Sequence, residues 1–143
     1  MTDGSVVIGA EEADELGKKQ ALVGSYHERF NQLLNLQLPA RDIYLSSGLR
    51  KHVKKRHPNC VRYLKRIKEI IANPDYIGVH PREPNSVELV KVFDQNILVA
   101  IKLNAENSQY YVASLYEISE FKKLNRINSK RLVPYPGAVL TNP

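Results

Sequence analysis

Three β-branched runs separated by very short polar breaks constrain this chain more than any other feature. Ser86 to Phe93 and Ile97 to Leu103 are joined only by Asp94-Gln95-Asn96, and Gln109 to Ile118 follows the polar stretch Asn104 to Ser108. Extended runs linked by so few residues pair as hairpins, and two hairpins in succession make an antiparallel meander. A meander buries a face only if another layer covers it, so the preceding residues must supply helices, which gives an α+β class.

Two helices are available. Ile43 to Leu45 is short and strand-like, Ser46 or Ser47 is a suitable N-cap, and a helix then runs to about His57, because Pro58 cannot continue it. Pro58 to about Ala72 reads as a second helix, whose Cys60, Leu64, Ile67 and Ile71 form one apolar arc. Cys60 is the only cysteine, which excludes an internal disulfide or a cysteine-based zinc cluster and fits a small core residue. Asn73-Pro74-Asp75 is a turn, Tyr76 to His80 a strand, and Ser119 to Asn128 a short helix capped by Ser119.

Leu38-Pro39-Ala40 interrupts the earlier pattern, so residues 1–38 read as a partly helical N-terminal arm and 39–143 as the compact domain. In the arm, Leu16, Val23, Phe30 and Leu34 recur at helical intervals, although Gly17 and Gly24 weaken the stripe. His27 near this stripe reads as structural. The tail from Val133 to Pro143 holds three prolines and reads as irregular. The N-terminus lacks the basic start and apolar run of a secretory signal, and no apolar run approaches the roughly 20 residues of a bilayer span. The expectation is therefore a cytoplasmic protein with no membrane contact.

Charge narrows the function. The chain carries a net +6, and Arg50, Lys51, Lys54, Lys55, Arg56, Arg62, Lys65, Arg66 and Lys68 occur with no acid among them. Such a field attracts polyanions, RNA or DNA above all, although a solvated helix face has the same composition. Steps of 100° place Leu49, His52, Val53 and Arg56 on one side of the first helix and Arg50, Lys51, Lys54 and Lys55 on the other. His52 and Arg56 thus lie at the edge of the packed side, which suits either a rigidly held proton-transfer group or a satisfied core-edge histidine.

His57, at the helix end, suits proton donation, phosphate contact or a cap. His80, before Pro81, ranks lower. Ser114 and Tyr116 share a strand face, and Lys102 shares its face with Leu98 and Ala100. An imidazole, a guanidinium, an ammonium and two hydroxyls around one concavity can hold a phosphodiester and move protons. Tyr116 equally suits a half-buried strand aromatic. No nucleophile elbow, P-loop, dinucleotide fingerprint or H-E-x-x-H is present, and no carboxylate pair accompanies the histidines, so neither a metal nor another cofactor is called for.

In order, IYLSSGLRKHVKKRHP, YLKRIKEIIANPDYIG, NSVELVKVFDQNILVAIKL and YYVASLYEISEFKKLNRI resemble the phage-type nucleases of the barnase, EndoU, colicin and RelE-like (BECR) superfamily. The likeness covers roughly Ile43 to Leu132 and leaves out the arm. It implies N-terminal helices packed on a four-stranded antiparallel sheet and a metal-independent, toxin-like RNase acting on RNA, including tRNA. It also implies an immunity or antitoxin protein or a phage structural protein as partner, with virion association or delivery into another cell as further settings.

Carried onto this chain, the motifs match at His52, Arg56 and His57, at Ser114 and Tyr116, and at Arg126 with Ser129 and Arg131 following. Lys51, Lys54, Lys55, Lys102, Arg126 and Arg131 are the expected substrate contacts. The expected reaction has His52 as base and His57 or Tyr116 as acid, a 2′,3′-cyclic phosphate product, a bell-shaped pH dependence and indifference to EDTA. The rival expectation is a non-catalytic basic module that binds nucleic acid or a virion protein.

Overall fold

The computed structural model describes residues 21–83, 85–104 and 109–135. Its strands are β1 (Leu22–Tyr26), β2 (Arg41–Leu45), β3 (Tyr76–Val79), β4 (Ser86–Val92), β5 (Asn96–Asn104), β6 (Gln109–Ile118) and β7 (Leu132–Pro134). Its helices are α1 (Glu28–Leu34), α2 (Leu49–Arg56), a 3-10 helix (Pro58–Arg66), α3 (Ile67–Ala72) and α4 (Glu120–Asn128). The meander is present as β4-β5-β6, paired from Ser86↔Lys102 to Asn96↔Ile118.

The sheet corrects the expected fold. It is seven-stranded and mixed, in the order β1-β2-β6-β5-β4-β3-β7, instead of four-stranded and antiparallel. The exception to antiparallel pairing is β2 beside β6, which runs parallel over Ile43↔Tyr110 to Leu45↔Val112. Part of the segment expected to be helical is β1, and part of the tail is β7 against β3. Pro134 is tolerated there because an edge strand leaves one side free of ladder bonds. The expected second helix is instead a 3-10 segment followed by α3, and Gly48, with φ 86°, takes the N-cap of α2 in place of a serine.

One face of the sheet carries the main core. Val87, Leu89, Ile97, Val99, Ile101, Tyr110, Val112 and Leu115 meet Leu49, Val53, Cys60, Leu64, Ile67, Ile70 and Ile71 from the helices. Tyr26 and Phe30 join the same core, and Tyr26 stacks on Tyr110 at 4.9 Å between centroids. Gly24 lies so close to α3 that an added Cβ would stand 2.6 Å from Ile71 Cγ2. The opposite face is thinner: α4 contributes Ile127 over Val90, Leu98, Ile118 and Leu132. Ser119 caps α4 as expected, its Oγ accepting from the Lys122 amide at 3.1 Å.

Gly78 lets β7 approach. A Cβ there would lie 1.9 Å from the carbonyl oxygen of Arg131, a backbone atom that cannot swing aside. Gly78→Ala should therefore push β7 off β3 and destabilise the protein by about 1–3 kcal/mol, the usual range for overpacking. Chemical denaturation reads this directly, and unfolding midpoints equal to wild type would contradict it.

Candidate active site

The site arises from an irregularity in β6. Ala100 faces Ser114 but Ile101 faces Val112, so Ala113 is an extra residue, a β-bulge. β2 pairs only with Tyr110–Val112, so beyond the bulge no strand covers that edge of β6. The turn from α2 into the 3-10 helix docks there instead. Asn59 Nδ2 donates to Glu117 Oε1 at 3.2 Å. The Cys60 thiol accepts a hydrogen bond from the Glu117 amide while burial pushes its pKa up. Pro58 starts the 3-10 helix and leaves His57 at the junction, its amide closing on Val53 O at 2.7 Å.

His57 is thereby held against Tyr116, with ring centroids 5.6 Å apart and planes tilted by 30°. His52 stands 5.9 Å behind His57. The two histidines differ in setting: His52 is exposed, along with Arg56, Lys51, Lys54 and Lys55, whereas His57 is half-buried. Burial pulls the His57 pKa below its ordinary value of 6.5, with the nearby His52 and Arg56 charges adding to the shift. His57 is therefore neutral at neutral pH. Of the residues assigned to the packed side of α2, Leu49 and Val53 are buried and the two polar ones face water.

Tyr116 faces the thinner side of the sheet, as do Ser114 and Lys102 by strand alternation, and Arg126 of α4 donates a hydrogen bond to its phenol oxygen. Burial pushes the Tyr116 pKa up and the Glu88 carboxylate adds to this, while Arg126 and Arg131 pull it back. The phenol thus keeps its proton and can donate it elsewhere. Nη1 of Arg126 is enclosed without a hydrogen-bond partner. Such a cost is expected where a fold is arranged for a ligand at some expense to stability.

Arg131 is occupied differently. It grips Glu88 with both prongs, Nε to Oε1 at 3.1 Å and Nη2 to Oε2 at 2.8 Å. Glu88 is only 1% exposed. It is the residue that sequence reasoning missed, although an acid within the apolar run Ser86 to Val92 calls for a cationic partner.

The remaining residues are spread out. Ser114 lies two register pairs from Tyr116, opposite Ala100. Lys102 lies further along β5, paired with Glu83 at 3.2 Å. The basic stretch is also divided: Arg62 pairs with Asp94 and Arg66 with Glu69, each also covering an aromatic ring. Among the described residues, no three His, Cys, Asp or Glu side chains gather in a way that could hold a metal. No described helix is long and apolar enough to cross a membrane.

An imidazole, a phenol and a guanidinium on a partly open sheet face, bordered by a basic helix, are the equipment of a small α+β nuclease. The particular family is shown by comparison: the family model described as phage-Barnase-EndoU-ColicinE5/D-RelE like nuclease3 matches residues 21–125, and the chain belongs to that family. The match includes β1 and α1, which the likeness read from the motifs had left out. Searches of curated proteins and of solved structures gave no match.

Proposed function

We propose that the protein is a metal-independent endoribonuclease whose centre is His57, Tyr116 and Arg126. The observation that carries this reading is the His57–Tyr116 contact, which sets a neutral imidazole beside a phenol that already accepts from a guanidinium. His57 takes the proton from a ribose 2′-OH, whose oxygen bonds to the adjacent phosphorus. The bond from phosphorus to the 5′-oxygen breaks, and Tyr116 protonates that leaving oxygen. The products are a 2′,3′-cyclic phosphate and a free 5′-OH, and protons exchanged with water restore both side chains.

Arg126 stabilises the charge that builds up on the phosphorane, and Lys51, Lys54 and Lys55 draw the strand toward the site. These roles depart from the expectation that His52 is the base. His57 is the histidine in contact with Tyr116, whereas His52 is exposed and stands behind it, so His52 acts through His57. Arg131 holds Glu88 instead of touching the substrate.

The pH profile of cleavage tests this assignment. A base must be deprotonated, so activity should fall as pH drops through the His57 pKa, with a midpoint below 6.5. The Tyr116 limb should lie above 10, leaving a broad plateau between. His52→Gln removes one of the influences that lower the His57 pKa, so it should move the acid midpoint upward. An acid limb that stays in place in His52→Gln, or activity that requires added divalent cations after EDTA treatment, would contradict the reading.

A further inference from the structure

Away from the bulge, the far end of the β4–β5 hairpin opens into a cavity of about 320 Å³ lined by Arg82, Glu83, Asn85, Ser86, Lys102 and Leu103. Three backbone amides fix its frame: Leu103 donates to Asn85 O at 3.1 Å, Ser86 to Glu83 O at 2.9 Å, and Arg82 to the His80 side chain at Nδ1, 3.0 Å away. We infer that this cavity is a second nucleotide subsite, holding a base and phosphate of the same RNA strand a short step along from the bond that is cut.

Three features carry the inference. Lys102 sits four residues along β5 from Leu98, the partner of Tyr116, on the same sheet face. At about 3.3 Å per residue that is about 13 Å, a span that a short extended single strand bridges. The chemistry is mixed in the way a nucleotide needs. Arg82 and Lys102 supply two cations for a phosphate, Leu103 an apolar wall for a base, and Asn85 an amide that can read a base edge. Finally, the Lys102–Glu83 pair is weakly held. Its side chains are 39% and 49% exposed, and ion pairs so open to water contribute little. An incoming phosphate can replace Glu83 as the partner of Lys102.

The subsite takes its ligand class from the ribonuclease proposed above, so its test separates binding from cleavage. The probes are fluorescein-labelled 2′-O-methyl oligonucleotides, which have no 2′-OH to attack, in lengths from two to eight nucleotides. Affinity is measured by anisotropy on the full chain, beside cleavage of unmodified RNA by the same preparation. Arg82→Gln with Lys102→Gln should leave dinucleotide affinity unchanged, weaken the longer oligomers about tenfold, and lower their salt dependence by about one to two contacts.

Glu83→Gln should tighten the longer oligomers alone, because the competing carboxylate is gone. Equal losses at all lengths, or none at any length, overturn the subsite. Wild type that binds no oligomer overturns both proposals. Length-dependent binding by a protein that leaves unmodified RNA intact supports the subsite and overturns the nuclease reading.

Discussion

Replacing His57 by alanine should lower the turnover of single-stranded RNA by about 10²- to 10⁴-fold, the usual contribution of a positioned general base. Affinity for an uncleavable oligonucleotide should stay within about twofold, because under the proposed mechanism phosphate contacts from Lys51, Lys54, Lys55 and Arg126 supply most of the binding. His52→Ala should be milder, since His52 is exposed and approaches the centre only through His57. The opposite pattern, with lysine substitutions removing cleavage and His57→Ala leaving it intact, would mark a basic binding module. Single-turnover kinetics beside anisotropy on the same variants distinguish the two, provided each variant keeps wild-type unfolding behaviour.

The second large effect falls on stability. Arg131→Ala leaves the Glu88 carboxylate enclosed in the sheet without its bidentate partner. Breaking a buried pair on one side costs about 3–5 kcal/mol, a large fraction of a small domain's stability. The lower end applies here, because the Arg131 side chain is itself 23% exposed. A double variant, Glu88→Leu with Arg131→Leu, should recover most of the loss, because removing both charges removes the desolvation problem. Urea denaturation checks both values. An Arg131→Ala midpoint within error of wild type would mean that Glu88 is satisfied some other way.

The meander, the buried arc from Cys60 to Ile71 and the Ser119 cap were legible because their signals are local, although that arc lies on a 3-10 segment and α3 instead of one continuous helix. What the sequence hid is non-local. Pairing of β2 with β6 joins residues far apart in the chain, in a parallel arrangement with no connecting turn to read. β1 is five residues long and contains Gly24, so the helical spacing of Val23, Phe30 and Leu34 outweighed it. β7 is three residues ending in proline, and only the absence of a side chain at Gly78 admits it.

The site shows the same division. The basic helix, His57 and Tyr116 were each visible as residue types, but their meeting depends on the Ala113 bulge, which left no mark in the alternation of β6. The different settings of the two histidines were not readable either, because burial depends on how the end of α2 docks on β6. Arg126 and Arg131 looked equivalent on the page. Glu88 of β4 separates them by occupying Arg131 and leaving Arg126 to Tyr116.

The most direct measurement uses a DNA strand carrying a single ribonucleotide, incubated with the protein in EDTA and followed by mass spectrometry of the products. The proposed mechanism predicts one cut, on the 3′ side of the ribonucleotide, yielding a 2′,3′-cyclic phosphate and a 5′-OH, with no cut in His57→Ala. Cleavage of an all-deoxy strand, or an intact ribonucleotide-containing strand at high protein concentration, would contradict it.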